Sequence, residues 1–334
     1  MYYFKYFRND TNFDKSIRYN ELFFAANSSL NDPMDLWFNP IFWDDVKLWE
    51  KFIDSYTFGF IKLLDYMEKP LTGEFYTSIN ELFKCKGLIQ VIEESQLYHS
   101  SIIEIIRENK LAYGDNVTFA ASFLMEIFVN VKNVTNFISV SFSKDPFNYL
   151  MWSHYANGFK GCVLIYEFEN NKIKLNTHLL GGDEYEVTMT DVIYSNSPQQ
   201  IDLWNLIYKN IIDNVGCFFT KNKYWEYEKE SRLVFQSSHL SYGEIFHHHP
   251  SLVKGVIFGS RCEKYFKDKT IQTLKENRRI CGIDSFLMFD TILNAQNEIE
   301  LKSGVNYFMK NNSSQLLDND AVKKWSDTLR LKVE

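Results

Sequence analysis

The hydrophobic pattern of this chain switches between two periodicities, and that switch constrains the fold more than any other feature. Residues 2–8 alternate and are rich in aromatic side chains, which predicts a first strand. From Pro40 to Lys132 apolar residues recur at spacings of three and four, which predicts a block of helices. After Asn136 the pattern favours strands again. Runs of strands, with the helices set apart in blocks, predict an α+β fold rather than alternating βαβ units.

Six segments after the helical block have the composition of strands: 137–142, 161–168, 186–194, 232–235, 252–259 and 285–293. Helices are predicted at 147–157, 198–215 and 262–277. A tail over residues 304–334 is expected to carry a short final helix. We therefore expect a single domain over residues 1–334 with an inserted helical subdomain at 40–132.

Composition narrows the class of protein. The 334 residues are 45% hydrophobic and 17% aromatic, which is enough to form a large core. The net charge of −7 argues against binding nucleic acid by broad phosphate neutralisation. Five cysteines without C-x-x-C spacing indicate a reducing compartment. The first residues lack the order of a signal peptide, and no apolar run approaches the ~18–20 residues that span a bilayer, so we expect a cytoplasmic protein without a membrane partner.

The segment 225–232, Trp-Glu-Tyr-Glu-Lys-Glu-Ser-Arg, concentrates charge just before an apolar strand. In an extended chain Glu228, Glu230 and Arg232 lie on one face because side chains alternate. Two carboxylates on neighbouring positions of one face repel each other. A cation, a sugar hydroxyl or a developing positive charge between them is therefore favourable. The alternative interpretation is a solvated edge strand whose charges discourage aggregation.

A second polar segment covers residues 139–156. Its serines share one face of a predicted strand: Ser139, Ser141 and Ser143. Asp145 or Asn148 can cap the helix that follows. That helix displays aromatic side chains with polar atoms: Trp152, His154 and Tyr155. The alternative interpretation is a serine-rich edge beside a buried aromatic helix, and a Ser/His/Asp triad lacks a supporting G-x-S-x-G turn.

Two common kinds of site find no support in the sequence. Neither G-x-x-x-x-G-K-[ST] nor G-x-G-x-x-G occurs, so a Walker or Rossmann nucleotide site is not expected. The three histidines at 247–249 would point to alternate sides of a strand and could not all reach one ion. A polar loop is expected there, and no metal site is predicted.

Several motifs follow one another in a distinctive order: Tyr-Lys-Tyr in the first strand, Asn-Asp-Pro at 31–33, Ser-Phe-Ser at 141–143, Leu-Met-Trp-Ser-His-Tyr-Ala at 150–156, Lys-Gly at 160–161, Trp-x-x-Glu-x-Glu-x-Arg at 225–232 and Gly-Val-Ile-Phe-Gly at 255–259. This order resembles a widespread bacterial family known only as a domain of unknown function. The resemblance covers nearly the whole chain apart from the helical block and the tail. That family is in turn similar in motif order to ADP-ribosyltransferases, which carry an Arg or His on the first strand, a central Ser-x-Ser or Ser/Tyr element and a late Glu/Gln-x-Glu.

The resemblance implies a split mixed or antiparallel β-sheet core and mono-ADP-ribosyl transfer from NAD to a macromolecular acceptor, either a protein or a nucleic acid. It also implies a toxin or a phage-defence effector. Glu230 would face the positive charge that develops on the ribose, and Glu228 would position or activate the acceptor. The residues expected to bind NAD are Lys5, Tyr6, Arg8, Ser141, Ser143, Trp152, His154, Tyr155 and Arg232.

Within that set the expected contacts differ. Lys5 or Arg8 would bind the pyrophosphate, and Tyr155 or Trp152 would stack on the nicotinamide ring. Arg232 would also bind the pyrophosphate or instead form a structural ion pair with Glu228.

Two other functions stay open at the level of sequence. One is a catalytically inactive module that binds NAD or another nucleotide as a sensor or scaffold. The other is a metal-dependent hydrolase or nuclease that uses Glu228, Glu230 and His154. The helical block at 40–132 has no counterpart in a minimal transferase, and it would serve as a lid, as a substrate-reading lobe or as the surface for an antitoxin or other partner.

Overall fold

The computed structural model describes residues 1–32, 35–36, 40–55, 63–133, 137–179, 181–196, 202–204, 216, 218–237, 243–283, 285–310 and 313–331. Pro33 of the Asn-Asp-Pro turn lies outside these ranges, as does most of the helix predicted at 198–215. The described helices are α1 (Thr11–Tyr19), α2 (Val46–Ser55), α3 (Gly73–Phe83), α4 (Leu88–Glu93), α5 (Ser95–Glu108), α6 (Asp115–Asn133), α7 (Tyr149–Tyr155), α8 (Lys264–Ile280) and α9 (Asn319–Leu331). None of them is both long and apolar enough to cross a membrane.

The described strands are β1 (Tyr2–Phe7), β2 (Glu21–Ala26), β3 (Phe137–Ser143), β4 (Cys162–Glu167), β5 (Lys172–His178), β6 (Gly181–Thr188), β7 (Thr190–Asp191), β8 (Ile193–Ser195), β9 (Thr220–Asn222), β10 (Glu230–Gln236), β11 (Gly243–His248), β12 (Val253–Phe258), β13 (Ser285–Leu293), β14 (Ile299–Leu301), β15 (Tyr307–Lys310) and β16 (Ser313–Leu316). Most of them form one sheet in the order β16-β15-β13-β12-β4-β1-β3-β2-β11-β5-β6, with β10 beside β3. In that sheet β12 and β13 are parallel, whereas the pairs on either side of β3 are antiparallel. The predicted α+β class, with a mixed sheet, is therefore confirmed.

The sheet branches at β3. One edge of this strand pairs with β10 over its whole length. The other edge is shared, because β1 pairs with it at Ser143 and β2 pairs with it at Ile138 and Ser139. Residues 140–142 have no strand partner on that edge among the described residues. The two halves of the sheet therefore separate beside the middle of β3, and this separation leaves room for a cleft.

Three hydrophobic cores hold these elements. On one sheet face, Val140 and Phe142 of β3 belong to the core that includes Phe13 of α1 and Phe266 of α8. On the other face the core contains Phe4, Val163, Trp152 of α7 and Leu329 of α9. The third core belongs to α2–α6 and is built around aromatic rings: Phe42, Trp49, Phe52, Phe83 and Phe128. These five aromatic residues of the predicted helical block are thus packing residues.

Two glycines of the sequence motifs are required by close packing. A Cβ atom at Gly161 would lie 2.0 Å from the carbonyl oxygen of Phe7, and one at Gly259 would lie 2.2 Å from the carbonyl oxygen of Phe159. The Lys-Gly and Gly-Val-Ile-Phe-Gly motifs therefore bring the backbones around β1, β4 and β12 together. These glycines allow the strands around the site to pack closely and take no part in its chemistry.

Several elements differ from the prediction. Strands β5, β11 and β14–β16 were not expected, because their apolar residues are interrupted by charged or polar ones. The polar loop expected at the histidine run is wrong: His247 and His248 end β11, and the side chain of His249 caps the short 3-10 helix Pro250–Leu252. His247 and His248 therefore belong to the sheet, and the His248 side chain is buried. Helices α2–α6 lie between residues 46 and 133, but their being a separate subdomain stays a prediction.

Candidate functional site

A cleft of about 270 Å³ opens beside the branch in the sheet. Strands β1 and β3 supply much of its wall, through residues 4–6 and 139–143. Helix α7 and the segment before β10 complete it. The polar residues that line the cleft are Lys5, Tyr6, Asn31, Asp35, Ser139, Ser141, Ser143, Tyr155, Lys221, Glu228 and Glu230. Segments from widely separated parts of the chain therefore meet here.

The acidic motif reaches the cleft through a turn. Residues Lys223–Glu228 form a 3-10 helix, whose first turn is capped by the side chain of Asn222. Lys229 then adopts a left-handed conformation with φ of 45°, and β10 begins at Glu230. The prediction that Glu228 lies on the extended strand with Glu230 is therefore wrong. The turn nevertheless brings both carboxylates into one cluster, because it folds the chain back beside the start of β10.

A buried cluster of charges forms the floor of the cleft. The Nζ atom of Lys221 lies 2.7 Å from Glu228 Oε2, 3.1 Å from Glu230 Oε2 and 3.2 Å from Asp35 Oδ2. Arg232 donates from Nε to Glu230 Oε1 at 2.8 Å and from Nη1 to Asp35 Oδ1 at 2.7 Å. None of the five residues is more than 6% exposed. Three carboxylates thus face two cations, which leaves one net negative charge when all are ionised.

The two acids of the motif have different partners. Both oxygens of Glu230 bind cations, one from Arg232 and the other from Lys221. Burial alone would raise the pKa of Glu230, but these positive charges hold it at about 2. Glu228 shares only Oε2 with Lys221, and burial raises its pKa above the ordinary value. The sequence also suggested an ion pair between Arg232 and Glu228. In the structure Arg232 instead forms ion pairs with Glu230 and Asp35.

Tyr155 connects helix α7 to the acids. Asn148 caps this helix by accepting a hydrogen bond from the Met151 amide at 3.1 Å, which confirms one of the two expected caps. At the end of the helix, the Tyr155 hydroxyl donates to Glu228 Oε1 at 2.5 Å and accepts from Asn31 Nδ2 at 2.8 Å. Burial and the neighbouring Glu228 carboxylate raise the pKa of Tyr155 well above its usual range. The side chain is therefore a neutral hydrogen-bond donor at the cleft.

The three serines of β3 line the cleft, but they have different partners. Ser143 donates to the carbonyl oxygen of Glu228 at 2.7 Å and so fixes the turn. Ser141 donates a hydrogen bond to the side chain of Glu230. The buried Ser139 hydroxyl has no hydrogen-bond partner among the described residues.

Strand β1 contributes two of its predicted residues. The Lys5 amine donates to the Ser141 carbonyl oxygen at 3.1 Å and lies 5.2 Å from the centre of the Phe142 ring. Burial lowers the pKa of Lys5 to about 8. The Tyr6 hydroxyl donates to the carbonyl oxygen of Asp145 at 2.6 Å. Both side chains line the cleft.

Four of the predicted NAD-binding residues do not line the cleft. Trp152 is fully buried, stacks on Phe159 and donates to a backbone carbonyl, so its ring is a packing surface. Arg232 is fully buried beneath Glu230. Arg8 and His154 are exposed outside the cleft, where Arg8 donates to the His154 carbonyl oxygen at 3.2 Å. Their side chains are thus placed for other roles.

Sequence reasoning missed three residues of this site. Asp35 and Asn31 come from the segment after β2, and Lys221 comes from the short strand β9. The signal for Lys221 is a lysine two residues after the pair Phe218 and Phe219, where an uncompensated charge would be costly to bury. Asp35 carries no comparable signal, since acidic residues are common in loops.

The carboxylates of the cleft are arranged around protein cations. In the described part of the chain, no group of three or more His, Cys, Asp or Glu side chains is positioned to hold a metal ion. Lys221 occupies the space between Asp35, Glu228 and Glu230 that a bridging cation would need.

Residues 151–233 match the family model described as "Protein of unknown function (DUF2971)". This range contains most of α7, with Tyr155, the strand with Lys221 and both acids of the motif. The expected resemblance to a family of unknown function is thus confirmed over this part of the chain. No curated protein and no solved structure matches the chain. The resemblance to ADP-ribosyltransferases stays a prediction.

Proposed function

We propose that the cleft binds the nicotinamide end of NAD and that the protein transfers ADP-ribose to a macromolecular acceptor. The observation that carries this proposal is the convergence of Ser141, Tyr155, Glu228 and Glu230 in one cleft. These residues belong to the motifs that resemble those of ADP-ribosyltransferases. Their meeting at the branch of the sheet supports the split-sheet core that the same resemblance implies.

The size and charge of the cleft suit one end of this substrate. A volume of about 270 Å³ lies just below the ~300–1,000 Å³ of typical ligand pockets, so the cleft would enclose the nicotinamide ribose and leave the adenylate outside. Phe23 provides a flat apolar wall. The net negative charge of the cluster favours a cationic pyridinium ring.

The partners of the two acids suggest how they divide the work. When the bond between C1′ and the nicotinamide nitrogen breaks, its electron pair leaves with nicotinamide and positive charge develops on the ribose. A carboxylate near that charge stabilises the transition state more than the ground state. Glu228 has one oxygen on the neutral Tyr155 hydroxyl, so a ribose hydroxyl can take that place. Glu230 has both oxygens on cations, and its role is to position Lys221 and Arg232.

We therefore place Glu228 at the ribose, where the sequence alone suggested Glu230. The acceptor then attacks C1′ from the open side of the cleft. Tyr155, once released from Glu228, is free to pack against the nicotinamide ring.

The test uses NAD labelled on the adenylate, incubated with purified protein and a cell lysate. Nicotinamide release and label in precipitated macromolecules are both measured. Glu228→Gln is expected to lower both by about 100-fold or more, the usual effect of losing one electrostatic contact to a transition state. Glu226→Gln is the matched control, because Glu226 lies in the same turn but is exposed. Equal turnover by wild type and Glu228→Gln would contradict the assignment.

A second candidate is a nucleotide-binding module without catalysis. The specific observation in its favour is that Lys221 and Arg232 already neutralise much of the acidic cluster, as they would in a purely structural site. Calorimetric binding of NAD without nicotinamide release would favour this function over transfer. A metal-dependent hydrolase that uses His154 gains no support, since His154 lies outside the cleft.

A further inference from the structure

Lys5 differs from the other cleft lysine in its surroundings. Lys221 is held between three carboxylates, which raise its pKa although burial opposes them. Lys5 donates one hydrogen bond, to the carbonyl oxygen of Ser141, and its amine lies near the faces of Phe7 and Phe142. Within the described ranges no carboxylate oxygen forms an ion pair with it. A lysine in such a place loses much of the stabilisation of its charged form.

We propose that Lys5 is a nucleophilic amine that forms an imine with an aldehyde or ketone bound in the cleft. The proposal goes beyond ADP-ribosyl transfer and does not depend on it. Two features of the cleft support it besides the amine itself. The apolar lining includes Phe23 and Leu30, which would hold a flat carbonyl compound in the cleft. Glu228 lines the same cleft and is a carboxyl group suited to proton transfer.

The proposed reaction is reversible and needs no oxidant or reductant. The lone pair of Lys5 Nζ attacks the carbonyl carbon, a C–N bond forms, and the π electron pair moves to oxygen, which takes up a proton. The resulting carbinolamine loses that oxygen as water and loses the proton on nitrogen, which leaves the imine. Hydrolysis reverses each step. Burial supports this chemistry, because it lowers the pKa of Lys5 to about 8 while the Glu230 charge opposes the shift.

Other titratable groups face the same cleft and enter any pH profile: Tyr6, Asp35, Tyr155, Lys221, Glu228 and Glu230. Burial raises the pKa of both tyrosines, so these stay neutral through the range in which Lys5 titrates. The charges that hold Glu230 ionised keep its pKa far below that range. The change in reactivity between pH 6 and 9 is therefore expected to follow Lys5.

The test traps the imine on the unaltered protein with pyridine-3-carbaldehyde and sodium cyanoborohydride, without NAD. The probe has the ring of nicotinamide and an aldehyde in place of the amide. Peptide fragmentation then separates Lys5 from the N-terminal amine, which also reacts with aldehydes. The internal control is Lys174, which is exposed and whose pKa is raised by Glu184.

We expect Lys5 to be labelled at least about tenfold faster than Lys174 at pH 7, because a pKa near 8 leaves far more free amine than the ~10.4 of an ordinary lysine. The rate should rise with a midpoint near pH 8. Lys5→Arg should remove this labelling and leave that of Lys174 unchanged. Labelling of Lys5 no faster than of Lys174, or a midpoint near that of ordinary lysines, would overturn the proposal. Because NAD is absent, this outcome would leave the transferase proposal standing.

Discussion

Glu230→Gln tests the buried charge cluster most sharply, because the pKa of this acid measures how strongly the folded state favours its charge. The pKa falls from an ordinary value of 4.5 to about 2. Each unit corresponds to about 1.4 kcal/mol, so the charge of Glu230 contributes about 3 kcal/mol to stability at pH 7. A similar size, about 3–5 kcal/mol, is usual for removing one partner of a buried ion pair. Urea denaturation of the variant at pH 7 should show this loss.

The sign of the pH dependence adds a second check. A carboxyl whose pKa is depressed in the folded state contributes stability above its unfolded pKa and loses it as the pH falls towards the folded pKa. The gap between wild type and Glu230→Gln should therefore narrow by about 1.4 kcal/mol for each unit below pH 4.5, down to about pH 2. The exposed control Glu226→Gln should stay within about 0.5 kcal/mol of wild type. A loss below about 1 kcal/mol at pH 7, or a gap that does not change between pH 7 and 3.5, would refute this account of the cluster.

Other predictions concern two neighbours of Glu230 and one core residue of α7. Lys221→Met should cost about 3–5 kcal/mol in urea denaturation, since it leaves three carboxylates with one cation; a loss below about 1 kcal/mol would count against the cluster. Glu228→Gln should show the opposite pH trend from Glu230→Gln, because burial raises the pKa of Glu228: thermal melts should show the variant gaining on wild type as the pH rises through that pKa. Trp152→Phe should leave the Kd for NAD within about twofold by calorimetry, because the ring lies in the core; a much larger change would place it at the ligand.

The periodicity of apolar residues predicted strands well where one face or both faces of the strand are buried. The alternating aromatic residues before Arg8 form β1, and the predicted strand at 285–293 coincides with Ser285–Leu293. Strands such as β5 were missed because charged residues lie on their exposed side and form cross-strand ion pairs, as Lys172 does with Glu186. The partners of β3 could not be predicted either, because pairing depends on contacts between distant segments.

The candidate site was predictable only where its residues belong to local sequence patterns, because long-range contacts leave no such pattern. Ser141, Tyr155 and Glu230 carry local patterns that mark them as unusual. Asp35 lies in the same cluster only because folding places it against Arg232, 197 residues away in sequence. Trp152 looks like a ligand-stacking residue in sequence, but its position on the inner face of α7 makes it core. Glu228 was wrongly predicted to lie on an extended strand with Glu230. The left-handed backbone of Lys229 places a turn between these two residues.

The helical block reaches the site through this cluster. Phe218 belongs to the core of α2–α6, and its carbonyl oxygen accepts a hydrogen bond from Arg232 at 3.0 Å. The core of the helical block and the charge cluster are thus joined by one hydrogen bond. The role of residues 40–132 as a lid, a substrate-reading lobe or a partner surface stays a prediction.

Glu228 and the cleft beside β3 are proposed to receive the nicotinamide ribose of NAD. A crystal structure of Glu228→Gln protein with NAD tests this proposal most directly, since the variant should bind the substrate and turn it over slowly. We predict density for the nicotinamide ribose between Tyr155 and the serines of β3, with a ribose hydroxyl within hydrogen-bond distance of residue 228. NAD bound elsewhere on the protein, or an empty cleft at saturating NAD, would contradict the account.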